Sequence, residues 1–304
     1  MNKEVIAVIV TYNRKALLLK VIDAVINQSY PLKKILIIDN NSTDGTEMFI
    51  SNRLSDVVKY KNTGDNLGGA GGFYRGFIEA EKYGYDYLWL MDDDFMPTVN
   101  CLEILISNNP DGIVQPVRYN LDETCAELSP LTYDLSNPFK LNPKGTPLKN
   151  YLNTIGNKSA KVDIEAIPFE GPLISRKVVE KIGYPEPKFF IFCDDIEYAI
   201  KAKRKGIPIQ CNLKAKAYRL LVNNQGNDLL SWKGYFMLRN LFYLHKTYGT
   251  NFLVRQKPIV LGLGYALSCV LKCNFSQLPV IWRAFWDSST LRNTEKFRPE
   301  MRSK

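Results

Sequence analysis

The chain has a single histidine, His245, among 304 residues, and none of its six cysteines forms a CxxC pair. Structural zinc sites need four Cys or His ligands at close spacing, so the residue supply argues against one. Cys269 and Cys273 lie four apart on one expected helix face, but no histidine accompanies them. Scattered thiols of this kind fit a reducing, cytosolic setting. Long apolar runs are also missing. The longest uncharged one, residues 258–271, is 14 residues with two glycines, whereas spanning a bilayer takes roughly 20. It reads as a buried or interfacial segment. No leader pattern is expected: apolar Val5–Val10 runs straight into polar Thr11-Tyr12-Asn13-Arg14, as a first strand would. The absence of a GxxxxGK[ST] loop leaves P-loop chemistry unsupported. Internal repeats and low-complexity tracts are absent too.

What is present is ordinary in bulk and uneven in charge. Hydrophobic content of 45% and charged content of 23% allow a proper core, in one large domain or two modest ones. Residues 201–304 hold 19 Lys/Arg against 4 Asp/Glu, while residues 1–200 hold 21 against 27. A basic third beside an acidic body suggests an anionic partner: nucleic acid, a membrane surface or a phosphorylated acceptor. No recognised nucleic-acid module is present, so nucleic acid is not the expected partner.

The first hundred residues alternate strand and helix. Strands are expected at Val5–Val10, Lys34–Ile38, Val57–Lys61 and Tyr87–Met91, and helices at Lys15–Gln28, Thr43–Leu54 and Gly72–Tyr83. That order predicts an α/β fold with a doubly wound, mainly parallel sheet. Such sheets bind ligands beyond the carboxyl ends of their strands, where Thr11-Tyr12, Asp39 and Asp92–Asp94 all fall. Residues 118–160, dense in proline and asparagine, read as a long excursion or lid. Val162–Ile174 reads as strand, turn, strand. Lys177–Ile182, Ile196–Lys205, Asp228–Tyr248 and the stretch after Pro258 read as helical.

Asp92-Asp93-Asp94 is the most informative run. Three adjacent acids at the end of a buried strand repel one another and resist desolvation. A cation would neutralise them, and oxygen ligands suit Mg2+ or Mn2+ carried by a phosphate. A solvated acidic turn is the alternative. Asp39, after Ile35–Ile38, suits a ribose or a base edge, or a helix cap. The glycine-dense run Asn66–Phe73, followed by Arg75, is expected to bring backbone N–H groups and a helix N-terminus to a phosphate, with a plain flexible turn as the alternative. Cys193-Asp194-Asp195-Ile196-Glu197-Tyr198 opens a helix. Its acids either complement the helix dipole or supply a general base.

These runs, in this order, resemble a family 2 inverting glycosyltransferase of the GT-A fold. The matching pieces are Val8–Arg14, Ile38–Gly45, Asn66–Phe73, Met91–Asp94 and Asp194–Tyr198, covering roughly residues 5–206. The NLGGAGGF run with the triple aspartate most resembles bacterial galactofuranosyltransferases, with rhamnosyltransferases as near relatives. The resemblance implies a GT-A domain at 1–225 and a helical, basic and aromatic region at 226–304. It implies that Thr11, Tyr12, Arg14 and Asp39 line the nucleotide pocket. Asn66, Gly68, Gly69 and Arg75 would lie along the nucleotide-sugar. Asp92 and Asp94 would hold Mn2+ or Mg2+ on the diphosphate, with Asp93 toward the sugar. Asp195 would take the acceptor's proton, assisted by Asp194, in a direct displacement with inversion. The implied donor is UDP-galactofuranose, with dTDP-rhamnose as the alternative and a non-catalytic nucleotide-sugar-binding module as a further one. A nucleotidyltransferase would need a glycine- and basic-rich signature after the first strand, which Thr11-Tyr12-Asn13 does not supply.

One departure from the family pattern stands out. Many relatives carry a metal-binding histidine after the segment matching Ala215–Tyr218; this chain has Arg219 and Leu220 there. Either a water fills that place, or Arg219 offers its charge to the leaving diphosphate. His245, inside a later helix, is expected to be structural. Beyond residue 228, Trp232, Tyr235, Phe236, Phe242, Tyr243, Trp282, Phe285 and Trp286 mix with Lys and Arg. That mixture suits an anionic bilayer interface or a lipid-diphosphate acceptor, and equally a helical subdomain with an aromatic core. The expected setting is cytoplasmic, peripheral on the inner face of the membrane. The partners would be a nucleotide-sugar and a glycan acceptor on a polyprenyl-diphosphate lipid, and a homo-oligomer is compatible with this arrangement.

Overall fold

The structure is a computed structural model; it describes residues 2–107, 110–155, 160–221 and 231–299. Strands β1 (Val5–Thr11), β2 (Lys34–Asp39), β3 (Val58–Asn62) and β4 (Tyr87–Asp92) pair in parallel, in the order β3-β2-β1-β4. β1 and β2 are almost continuous runs of β-branched and aliphatic residues because both faces of the sheet are covered. Even-numbered Ile6, Val8 and Val10 join a core under helix α3 (Gly68–Glu81). Odd-numbered Val5, Ala7 and Ile9 join a second core under α1 (Lys15–Ile26). That two-sided burial is the physical content of a doubly wound sheet. Helix α2 (Thr46–Ser51) connects β2 to β3.

Beyond β4 the sheet continues through β8 (Leu173–Ser175), β6 (Ile113–Asn120), β9 (Ile209–Arg219) and β5 (Phe95–Pro97), with β7 (Lys161–Asp163) beside β9. β6 and β9 pair in parallel along eight positions. The antiparallel junctions β4–β8, β6–β8, β5–β9 and β7–β9 are two or three positions long. Parallel ladders therefore dominate, as expected. α4 (Cys101–Ile106), α5 (Leu148–Ile155), α6 (Arg176–Ile182) and α7 (Asp194–Arg204) pack around this half.

Element bounds depart from the sequence reading in instructive ways. α3 begins at Gly68, not Gly72, so the glycine run is the first turn of the helix itself. The expected helix Thr43–Leu54 shrinks to Thr46–Ser51: Gly45, at φ +82°, is its N-cap, and Asp44 just before it accepts from the amide and hydroxyl of Thr46. Val162–Ile174 holds only two three-residue strands, β7 and β8, with irregular chain between. The excursion after residue 118 is tied down. Isolated bridges join Tyr119 to Cys125, Pro130 to Pro147 and Tyr133 to Lys144, and Lys257 donates to the carbonyls of Asn137 and Lys140.

Helices α8 (Lys233–Tyr248), α9 (Phe252–Leu271), α10 (Leu278–Asp287) and α11 (Thr294–Phe297) follow. The expected helix from Asp228 starts at Lys233; residues 228–230, and the expected domain boundary at 225/226, lie outside the described residues. Tyr235, Phe236 and Phe242 are core, packed with Phe190, Ile281 and Ala284, so they are not available to a membrane. His245 is fully buried in α8, and burial with Lys257 nearby lowers its pKa to about 4. All six cysteines are unpaired. Among the described residues no helix is long and apolar enough to cross a membrane.

Candidate active site

The two acidic clusters meet. A cavity of about 340 Å³ is lined by Asp92 and Asp94 from the end of β4 and by Asp194 and Asp195 from the first turn of α7. It also touches Arg14, Gly69, Glu170, Arg219 and Lys233. On one side it shares Arg14, Gly69, Asp92 and Lys233 with a second cavity of about 340 Å³ that reaches Thr11, Tyr12, Asn66 and Gly68. On the other it shares Glu170, Asp195 and Arg219 with a third, of about 290 Å³, bordered by Ser129 and Lys144. The three form one groove along the carboxyl ends of the parallel strands, where α/β sheets place their ligands.

The three acids straddle the end of β4: Asp92 is its last residue, and Asp93 and Asp94 form the turn before β5. Asp92 and Asp94 line the central cavity, and Asp93 turns toward Thr11 and Arg14. It accepts from the Thr11 hydroxyl at 2.7 Å and pairs with Arg14 at 3.0 Å, leaving it 3% exposed. Asp93 thus ties β1 to the end of β4, and it borders the donor-side cavity beside Asp92. Burial, then the neighbouring acids Asp94, Glu170 and Asp93, push the Asp92 carboxyl well above the usual carboxylate range. Burial and then Glu170 and Asp93 push Asp94 to about 6.

No hydrogen bond or ion pair reaches the Asp92 carboxylate among the described residues, and Arg14 stands 4.0 Å from Asp94. An under-neutralised pair of oxygen donors suits a hard divalent cation. No trio of His, Cys, Asp and Glu among the described residues could hold an ion by itself. Asp92 and Asp94 would therefore fit a divalent cation whose remaining ligands come from outside this set.

Asp194 and Asp195 open α7 after Phe190, Phe192 and Cys193, all three at positive φ. Burial, and next the Asp195 charge, raise Asp194 strongly. Burial raises Asp195 to about 6, opposed by the Ile196 amide and by Lys144. A carboxylate titrating near 6 between two cavities is poised to accept a proton at neutral pH.

Three further residues singled out in the sequence sit elsewhere or are already paired. Asp39 is fully buried, with its oxygens taken by the amide and hydroxyl of Ser42 and by the Tyr60 hydroxyl, and it lines none of the three cavities. Its neighbour Asn40 does border the donor-side cavity. Arg75 lies in the second turn of α3 and faces a separate cavity with Lys188, Thr294 and Arg298, because the helix starts four residues early. Arg219 sits 3.2 Å from Glu170, which Arg118 also contacts, so its charge is already opposed. Two basic residues border both the donor-side and the central cavity: Arg14, just before α1, and Lys233, at the start of α8. Lys233 and Glu170 were missed in the sequence. Neither stands in a recognisable run, and only the fold carries them to the groove.

The glycine run serves packing as well as approach to the groove. A side chain on Gly68, at φ +69°, would overlap the Phe190 carbonyl, whose oxygen accepts from the Ala70 amide. A Cβ on Gly72 would lie 2.5 Å from Cγ1 of Val10 on β1. Gly69 alone meets open space beside the cavity.

Residues 6–182 match the profile described as Glycosyl transferase family 2. Galactofuranosyltransferase GlfT1 of Mycolicibacterium smegmatis is 25% identical over 284 residues, covering 87% of this chain and 90% of the relative. Two solved structures share the fold. GalNAc-T7 with UDP, GalNAc and Mn2+ has a TM-score of 0.57 at 15% identity over 84% of this chain and 54% of its own. The mannosyltransferase PcManGT from Pyrobaculum calidifontis, in complex with GDP-Man and Mn2+, has a TM-score of 0.55 at 16% identity, over 93% and 74%. A match over more than half the chain, on a GT-A architecture, places it: the chain belongs to glycosyl transferase family 2 and is a glycosyltransferase.

Proposed function

We propose that the protein transfers galactofuranose from UDP-galactofuranose, with inversion, to a hydroxyl of a glycan acceptor. The observation that carries this reading is the single cavity bounded by both acid pairs, with donor-side and acceptor-side cavities opening from it. The likeness to a galactofuranosyltransferase along nearly the whole chain supports the choice of sugar. Thr11, Tyr12, Asn66, Gly68 and Gly69 would border the nucleotide. Lys233 offers positive charge where the diphosphate departs. Asp92 and Asp94 would hold Mn2+ or Mg2+, which neutralises the leaving diphosphate when bound. Asp195 takes the proton from the acceptor hydroxyl as its oxygen bonds to the anomeric carbon, and the bond from that carbon to the UDP oxygen breaks. Burial and the Asp195 charge disfavour the ionised form of Asp194.

The acceptor we propose is carried on a polyprenyl diphosphate at an anionic bilayer surface. α9 and α10 support this reading. Leu263, Leu267 and Leu271 are 60–76% exposed on one face of α9, and Trp282 and Trp286 are half or more exposed on α10. α9 carries no acid, and exposed Lys272 and Arg283 flank the face. Apolar surface edged by tryptophan and basic residues is complementary to anionic lipid.

Two experiments test these assignments. Thermal stabilisation by a panel of UDP- and dTDP-sugars, with Mn2+ or EDTA, should single out UDP-galactofuranose and vanish with EDTA. Stabilisation by dTDP-rhamnose alone would reassign the donor. Flotation with phosphatidylglycerol vesicles should carry the wild-type chain, and Leu263→Glu with Leu267→Glu should abolish it. A wild-type chain that self-associates through this face and ignores vesicles would mark it as a subunit interface instead.

A further inference from the structure

Segment 187–193 is the least regular part of the active site and the one on which Asp194 and Asp195 depend. After a 3-10 turn at Pro187–Phe189, the chain places Phe190, Phe192 and Cys193 at φ of 64°, 65° and 68°. Residues with a side chain avoid that region, and they persist there only when the surroundings over-determine them. Three such residues in four positions need an external restraint.

Helix α8 supplies it. The Asn240 side-chain amide lies 3.1 Å from the Phe189 carbonyl, 2.8 Å from Ile191 and 2.9 Å from Phe192. Arg239, next in sequence, donates to the carbonyls of Lys188 at 2.7 Å and Phe189 at 3.1 Å. The other arm of its guanidinium reaches Thr294 at 2.9 Å and the Arg292 carbonyl at 3.2 Å. Both side chains are fully buried. No carboxylate pairs with Arg239 among the described residues; carbonyl oxygens and the faces of Tyr235 and Phe236 surround it. Asp287 and Glu295 act on it only without direct pairing, and a buried cation held mainly by carbonyls is unfavourable as packing alone. On its far side the segment is pinned by the Ala70 amide to the Phe190 carbonyl, and at the end of α8 the Tyr248 hydroxyl donates to Glu197 of α7.

We propose that Asn240 and Arg239 are positioning residues for transfer, gripping the carbonyls of residues 188–192 so that the bend they fix aims Asp195 at the acceptor oxygen. The inference rests on the reading of Asp195 as the proton acceptor. Neither residue borders the central cavity, so neither touches substrate. Asp194, Glu170, Arg118 and Lys144 are the charged groups that act on Asp195. A slackened bend changes its distance from all of them and its access to water.

The test uses the full chain, UDP-galactofuranose and a short synthetic galactofuranoside acceptor, and it follows UDP release across pH. Asn240→Ser keeps one donor, and Arg239→Lys keeps the cation but loses the fork. Each should lower kcat per folded molecule, by about 100-fold for Asn240→Ser, since misplacement by about 1 Å has an effect of that order. KM for the donor should stay near wild type, and the acid limb of kcat/KM should move away from its wild-type position. Near-UV circular dichroism gives the folded fraction. If the losses merely follow that fraction with the acid limb unmoved, the residues only hold the fold together and the proposal is overturned. Asp195→Asn is run beside them. If it is inactive while both variants match wild type, the positioning role alone falls; if it turns over like wild type, the base assignment falls and takes the positioning role with it.

Discussion

Asp92, Asp93 and Asp94 are chemically identical and adjacent, yet the structure gives them different surroundings. Two face the groove without a full neutralising partner, and the third is consumed by Thr11 and Arg14. β4 ends at Asp92, so Asp93 and Asp94 lie in the turn before β5 and no strand period sets that division. The partner Arg14 was not legible in the sequence either, because it lies 79 residues away. His245 shows the same limit. Its isolation in the sequence suggested a structural role, but only the packing fixes its titration. Both ring nitrogens lack hydrogen-bond partners among the described residues, and its folded pKa is lowered from 6.5 to about 4 by burial and Lys257. The unfolded chain therefore takes up a proton first as pH falls. Stability should decline between pH 6.5 and about 4 by up to about 3 kcal/mol from this group. Urea titrations of wild type and His245→Leu across that range should diverge progressively toward low pH. Parallel curves would mean that the ring is already protonated in the fold.

At the scale of elements, α3 was legible in kind and misplaced in register. Four glycines between residues 68 and 72 look like loop, because glycine weakens an isolated helix. Here the helix tolerates them because its N-terminal turn lies against β1 and the 187–193 segment, where side chains would collide. Gly72→Ala should therefore overpack the contact with Val10 and destabilise by about 1–3 kcal/mol. Gly69→Ala meets open space and should be neutral or stabilising by up to about 1 kcal/mol. Chemical denaturation of the two variants decides the matter, and equal destabilisation would refute the packing account. The start of α7 was read almost correctly from its acids, while the left-handed bend before it left no sequence signal. Phe190, Phe192 and Cys193 are not residues that favour positive φ, and Asn240, which holds them, lies in a different helix.

Across the whole molecule, the basic C-terminal third is less separate than its charge suggested. Phe189 packs with Leu244 and Leu291, and Phe190 with Tyr235, Phe236 and Phe242, so residues beyond 226 complete the cores around the bend that precedes Asp194. A chain ending at residue 225 should lose near-UV circular dichroism and bind ANS, because Phe189 and Phe190, now at most 2% exposed, would lose their cover. A truncated chain with an intact near-UV spectrum would show instead that 1–225 folds alone. The aromatic content of this third was plain in the sequence, but its partition was not. Tyr235 and Phe236 face inward while Trp282 and Trp286 face solvent, and helical period alone does not say which neighbour covers which face.

The sequence by itself determined the alternation of strand and helix, the parallel sheet it builds, and the acids that stand at strand and helix ends. These follow from local periodicity and from the short-range chemistry of charge and turns. Tertiary structure alone decided that Asp92, Asp94, Asp194 and Asp195 share one cavity, that Asp39 is buried and Asp93 pairs with Arg14, that Arg75 faces elsewhere, and that Lys233 and Glu170 join the groove. Those outcomes depend on contacts between segments tens to hundreds of residues apart. Such contacts are fixed by how the layers close around the core, and no single stretch of the chain encodes that closure.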